Sequence, residues 1–171
     1  EKQLEAFQQD VDLSIVSGNI SEFVNDESNI VGKRIVPTND KDIKEYIKKR
    51  CPLNHVAVML KKSEVVKAGG YCDWFWNEDY YLWIRMFEAG CKFNNLPETL
   101  VNVRVGEDMY KRRGGLKYFK SEAGLQQYML EKKLIGVSRY AYNVAVRFII
   151  QVIMPSNIRS YIFRKLARKK G

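Results

Sequence analysis

One histidine and three cysteines are all the imidazole and thiol that this 171-residue sequence offers to a metal. Cys51, Cys72 and Cys91 form no C-x-x-C pair and His55 stands alone, so no zinc set can be read from the sequence. An odd number of separate thiols fits free cysteines in a reducing compartment, which points to the cytoplasm. No Gly-rich phosphate loop follows a strand-like run. No apolar stretch reaches the roughly 20 residues that cross a bilayer, and the opening residues carry no signal or transit pattern. The sequence starts at Glu1, in a run (EKQLEAFQQD) that reads as a helix already under way, so a chain taken from inside a larger protein is expected. The last absence is of acid: from Lys132 to Gly171 there is no Asp or Glu.

That gap organises the charge. The chain carries 29 Lys/Arg against 20 Asp/Glu, a net charge of +9. Ten of the cations fall between residues 132 and 171, which leaves the first 131 residues with 19 basic and 20 acidic groups. The basicity belongs to the tail and the body is neutral, so only the tail carries an electrostatic signal. With 46% hydrophobic and 29% charged residues, the composition is that of a folded domain, and the length suffices for a real core.

Residues 1–9 read as a helix end and Val11–Val16 as a short strand stopping at Ser17-Gly18. Residues 19–38, rich in Asn, Asp, Ser, Gly and Pro, read as irregular. Asn39 or Asp40 can cap a helix over 41–50, which Pro52 ends. Apolar, β-branched content makes 56–61 a strand, and Ser63 then caps a short helix closed by Gly69-Gly70. The loop YCDWFWN leads into a strong helix, EDYYLWIRMFEA, ended by Gly90. Lys92–Leu96 and Thr99–Val105 read as two strands broken by Pro97, followed by helices over 115–134, 138–153 and 157–168. Strands and helices alternate, with too few strands for a complete doubly wound sheet. The pattern is a small α/β domain or part of one.

The strong helix holds the best candidate for chemistry. On a helical wheel Tyr80, Leu82, Trp83, Ile84, Met86 and Phe87 form one apolar arc, and Glu78, Tyr81, Arg85 and Glu88 fill the other side. Asp79 falls inside the apolar arc. A favourable dipole with Asn77 as cap accounts for two acids in the first turn; it does not account for one of them pointing the way core residues point. Such a carboxylate is partly desolvated, which raises its pKa, while the dipole lowers it. That balance suits a general base. Tyr71, Trp74, Phe75 and Trp76 crowd just ahead of it. Phe75 reads as core fill, whereas Trp74 and Trp76 also suit stacking on a sugar ring.

These residues resemble something larger. Asn54-His55 before a strand, the Lys-Ser turn, Gly69-Gly70-Tyr71, Glu78-Asp79 followed by Leu82-Trp83, Asn95-Leu96-Pro97-Glu98, Arg104 and Arg112-Arg113-Gly114-Gly115 together resemble the C-terminal, acceptor-side half of the family-2 glycosyltransferases, such as those of bacterial capsule, lipopolysaccharide and exopolysaccharide synthesis. The likeness is close over about 10–115 and looser beyond. It implies an α/β fold, the C-terminal part of a GT-A (Rossmann-like) domain with a mixed sheet: residues 1–113 as the acceptor-side half, and 114–171 as a helical, basic region. It implies that Asp79 is the catalytic base that deprotonates an acceptor hydroxyl for inverting attack on a nucleotide sugar, with Glu78 as an orienting neighbour. Trp74, Trp76 and His55 would contact the acceptor. Arg104, Arg112 and Arg113, around a Gly-rich turn, would bind the leaving diphosphate, for which a planar guanidinium is suited. A divalent metal, Mn or Mg, is expected in the full-length enzyme, with ligands outside this chain. Asp10-Val11-Asp12 spells D-x-D, yet sits where a helix enters a strand and reads as connection. A fragment without the nucleotide-binding half is expected to be inactive alone.

In the helix over 138–153, Arg139, Asn143, Arg147 and Gln151 recur every four residues as a narrow polar stripe among apolar residues. The following IRSYIFRKLARKK mixes apolar and basic residues as interfacial helices do. A peripheral site on the inner face of the membrane ranks first, packing on a missing half second, and nucleic acid last. The rival to an enzyme with nucleotide-sugar donor and saccharide or lipid-linked acceptor is a non-catalytic basic module that binds membrane or nucleic acid through this tail.

Overall fold

The computed structural model describes residues 1–106, 113–155 and 158–159. Helix α1 (Lys2–Gln9) leads into strand β1 (Leu13–Phe23), which turns into β2 (Ile30–Arg34). Helix α2 (Asp40–Ile47), a 3-10 turn (His55–Ala57), the short strand β3 (Met59–Leu60) and helix α3 (Lys62–Lys67) follow. Helix α4 (Glu78–Glu88), strand β4 (Lys92–Arg104), helix α5 (Leu116–Glu131) and helix α6 (Val137–Phe148), running on as a π turn (Ile149–Ile153), complete the described order.

The sheet is mixed and centred on β1. On one edge β1 pairs antiparallel with β3 at Ile15 and Val16 and with β2 from Ile20 to Phe23. On the other it pairs parallel with β4 along its length. All eleven residues of β1 are buried. The register slips at Ser14, whose hydroxyl accepts the Lys92 amide at 3.2 Å, and the apolar side chains of β1 divide between two clusters. Leu13 and Val16 pack with Ala6 and Phe7 of α1. Ile15 and Phe93 join the main core with Ile43 and Ile47 of α2, five residues of α4, and Leu125 and Met129 of α5. One core thus runs through both the 1–113 and 114–171 segments.

Several local expectations are corrected. Residues 19–38 are not irregular: β1 extends to Phe23 and β2 follows a turn in which Asp26 accepts from the Ser28 amide at 2.9 Å. The polar strand residues Asn19, Ser21 and Glu22 hid this, because they are buried against backbone and side-chain partners rather than solvated. Pro97 does not break β4. The register jumps from Gly18↔Leu96 to Asn19↔Thr99, so Pro97 and Glu98 bulge out, and the Asn19 amide donates to the Pro97 carbonyl at 2.6 Å. The stretch 56–61 is a 3-10 turn plus a two-residue strand. Helix α3 begins at Lys62 with Lys61 at its cap position and no side-chain capping bond, so Ser63 is not its cap. Asn39 does cap α2, accepting the Asp42 amide at 2.9 Å. The helix expected over 157–168 lies outside the described residues, apart from Ile158 and Arg159.

Candidate functional site

Asp79 sits in the first turn of α4, with about a quarter of its side chain exposed. Helix α4 buries Tyr80, Leu82, Trp83, Ile84 and Met86, while Glu78 and Glu88 face solvent. Burial is the chief cause that raises the Asp79 proton affinity above the ordinary carboxylate; the Tyr80 amide, donating to Oδ1 at 2.6 Å, pulls it down, as do the charges of His55 and Arg34, and Glu78 pushes it up. A partly desolvated carboxylate with raised proton affinity at the mouth of a fold is equipped to accept a proton.

The imidazole of His55 stands beside it, Nδ1 at 3.9 Å from Asp79 Oδ2. Its other nitrogen, Nε2, is 3.0 Å from the Tyr71 hydroxyl, and the two rings stack at 5.8 Å. His55 is placed by its neighbour. Asn54 is buried, donates its side-chain amide to the Gly18 carbonyl at 2.8 Å, and exchanges hydrogen bonds with the Ser17 hydroxyl. Asn95 plays the same part from β4, donating to the Pro37 and Pro52 carbonyls at 2.6 and 3.1 Å. These two asparagines fix the loops below the site.

The aromatic loop is held from both sides. Gly69 and Gly70 have φ of 86° and 67°, and the Arg85 guanidinium binds the Ala68 and Gly70 carbonyls at 2.6 Å each. On the far side Ser121 of α5 accepts from the Asn77 amide at 3.0 Å and donates to the Phe75 carbonyl at 2.6 Å. Asn77 occupies the cap position of α4, but its side chain bridges to α5 instead of capping. Trp74 is turned into the seam between α4 and α5: its indole nitrogen donates to the Ser121 carbonyl at 3.0 Å, and its ring lies 4.4 Å from that of Tyr81. These contacts engage Trp74 in packing against α5. Phe75 is half-buried beneath the Lys117 ammonium, 4.1 Å from the ring centroid. Trp76 is half exposed and has φ of 59°, a left-handed conformation that a bulky residue rarely adopts.

Of the expected diphosphate residues, Arg104 and Arg113 are among those described. Arg104 ends β4, lies over the Phe23 ring, and donates to the Asn25 carbonyl at 2.7 Å. Arg113 is half-buried near Tyr118. Arg112 lies outside the described residues. The guanidinium whose charge reaches Asp79 is Arg34, anchored on the Cys51 and Leu53 carbonyls. Arg34, Arg85 and Ser121 carry no distinguishing pattern in the sequence beyond the place of Arg85 on the polar side of its wheel. Cys51, close enough to feel both Asp79 and Arg34, is pushed up to about 11, chiefly by burial, and is an inert thiol.

Among the described residues no group of three or more His, Cys, Asp or Glu is arranged to hold a metal ion. Asp10 pairs with Lys92 at 2.6 Å and accepts the Asp12 amide, a helix-to-strand connection. A polar cleft of about 480 Å3 opens at the start of β1 and β4, where Lys44 is paired with Asp40.

No family model matches the sequence. Individual proteins do. An uncharacterized glycosyltransferase of Haemophilus influenzae is 36% identical over 169 residues, 99% of this chain and 62% of that protein. The UDP-Gal:alpha-D-GlcNAc-diphosphoundecaprenol beta-1,3-galactosyltransferase of Escherichia coli is 35% identical over 92% of the chain and 57% of its own length. The amylovoran biosynthesis glycosyltransferase AmsE of Erwinia amylovora is 30% identical over 96% of the chain and 61% of its own. The chain is a homologue of bacterial surface-polysaccharide glycosyltransferases. It spans about three-fifths of the length of these relatives. For a glycosyltransferase homologue, the mixed α/β sheet and the carboxylate at the head of α4 take on a chemical meaning.

Proposed function

We propose that this chain supplies the acceptor side of an inverting, family-2, GT-A glycosyltransferase that acts in bacterial surface polysaccharide synthesis. Asp79 takes the proton of an acceptor hydroxyl as that oxygen bonds to the anomeric carbon of the donor. The bond from that carbon to the diphosphate breaks, and the nucleoside diphosphate leaves with the electron pair. Glu78, exposed one residue earlier, and the His55–Tyr71 pair line the approach and orient the acceptor, with Trp76 as its stacking surface. The donor is a nucleotide sugar, and the acceptor a saccharide or lipid-linked saccharide at the inner face of the membrane. Arg104, Arg112 and Arg113 would meet the diphosphate once the nucleotide-binding part is in place. The divalent cation of such enzymes would neutralise that diphosphate. The chain alone is expected to be inactive.

The observation that carries this reading is the desolvated Asp79 carboxylate beside an imidazole, in a homologue of sugar transferases. The test is Asp79→Asn in the intact protein, with turnover of sugar nucleotide measured on a competent acceptor. A general base supplies about 10²–10⁴-fold in rate, so turnover should fall by at least the lower figure. Unchanged turnover would sink the assignment.

A further inference from the structure

Helix α6 is mounted inside out. Its polar stripe faces the body: Asn143, buried, donates to the Lys48 carbonyl at 2.9 Å and to Gln126 Oε1 at 2.7 Å. Arg147 pairs with Glu122 at 2.5 Å and donates to the Lys49 carbonyl at 2.7 Å. Gln151 is buried, and its backbone carbonyl accepts the Gly115 amide at 2.8 Å. The exposed positions from 137 to 153 are Val137, Tyr142, Phe148, Ile149 and Ile153, with only Ser138 and two alanines besides. No charged or amide side chain is among them. Val137 is 72%, Tyr142 68% and Ile153 61% exposed, and Ile158 continues the series at 52%.

A helix in water places its polar face outward. This one spends its polar groups on docking and turns its apolar groups away, so the outward face awaits an apolar partner. Charge identifies the partner. Residues 132–171 hold ten Lys/Arg and no acid while the remainder is near neutral, and among the described cations Lys132, Arg147 and Arg159 are engaged within the fold. A surface that is apolar in depth and acidic at its boundary matches both the outward face and this basic end of the sequence. A protein interface would need a shaped apolar patch with a matched acidic rim, whereas a bilayer bearing anionic headgroups supplies both everywhere. No helix among the described residues is long and apolar enough to cross a membrane, so the contact lies along the surface.

We infer that the outward face of α6 and its π turn rests in the interface of an anionic lipid surface, with the polar stripe as the latch that holds the body to it. This names the face responsible for the peripheral membrane site of the proposed function and rests on that reading.

The experiment is flotation of the chain with phosphatidylcholine vesicles, with and without phosphatidylglycerol. The chain should float with the anionic vesicles and lose most of that binding in high salt. Tyr142→Asp/Ile149→Asp should weaken partition at least tenfold with an unchanged circular dichroism spectrum, since each aspartate removes apolar burial and adds repulsion. Should that variant unfold, Tyr142→Trp serves instead: its added emission should be quenched by brominated anionic lipid. Equal flotation of the aspartate variant and the parent, absence of quenching, or equal binding to vesicles without phosphatidylglycerol would each overturn the inference. Asp79→Asn should bind vesicles as the parent does, so failure of the transferase reading leaves a lipid result untouched.

Discussion

Helices α4 and α6 are of nearly equal length, eleven and twelve residues, and both are amphipathic, yet they use their faces in opposite senses. Helix α4 buries its apolar arc and exposes Glu78 and Glu88; α6 with its π turn buries Asn143 and Gln151 and exposes Tyr142, Ile149 and Ile153. Apolar burial is strong and non-directional, so α4 anchors the core. Buried hydrogen bonds add little net stability when satisfied, but fix position and are expensive to break on one side. Helix α6 is thus seated rather than glued, and it keeps its apolar area for something else.

The largest expected effect tests the first half of that contrast. Trp83 is fully buried in α4, and Trp83→Ala should cost about 3–5 kcal/mol in urea unfolding. Tyr142, an aromatic of α6 and 68% exposed, should tolerate alanine within about 0.5 kcal/mol. Comparable losses at the two sites would mean that α6 is covered in the folded chain and would dissolve the contrast.

The second half is tested by Asn143→Ala. That change leaves the Lys48 carbonyl and Gln126 Oε1 without their donor in a buried place, and should cost roughly 1–3 kcal/mol. A loss below that range, read from the same urea curves, would mean that water reaches the seam.

The same contrast explains what could be read from the sequence. Period and cap chemistry located α2, α4, α5 and α6, and the wheel correctly set Asp79 among the core-facing positions of α4, because apolar periodicity there coincides with burial. It failed where polarity and burial part company. Asn19, Ser21 and Glu22 made a buried strand look like a loop, and the stripe of α6 was visible without any sign of which way it faced. Trp74 and Trp76 are alike on paper. Only the packing of α5 against the loop shows that one ring is engaged in a seam and the other turned outward. His55 beside Asp79 is a tertiary fact, set by the pin from Asn54 to β1.

The loop that enters α4 departs from ordinary backbone geometry, and the departure is measurable. Trp76 holds a left-handed backbone at φ 59°. At such a position glycine is less strained than alanine, so Trp76→Gly should be more stable than Trp76→Ala by about 1 kcal/mol, the reverse of the usual order. An Ala variant as stable as the Gly variant would show that the backbone relaxes once the ring is gone.

The smallest effect concerns Asp79, the one acid on the buried arc of α4. Its folded proton affinity is raised from the ordinary 3.8, burial being the main cause. A group shifted upward on folding stabilises the fold below its unfolded pKa, and that contribution is lost as pH rises through the folded value. At neutral pH the charged carboxylate therefore opposes folding, and Asp79→Asn should raise Tm by a few degrees. The gap should close as pH falls toward and below 3.8, where the parent carries a neutral acid too. Asparagine can still accept the Tyr80 amide, so the geometry of the turn is preserved and charge is what changes. A gap of the opposite sign, or one that widens in acid, would show that His55 and Arg34 outweigh desolvation at this carboxylate. It would then be an ordinary ion-paired acid at a helix start. A more stable but inactive Asn variant would mark Asp79 as a group kept for chemistry at the expense of the fold.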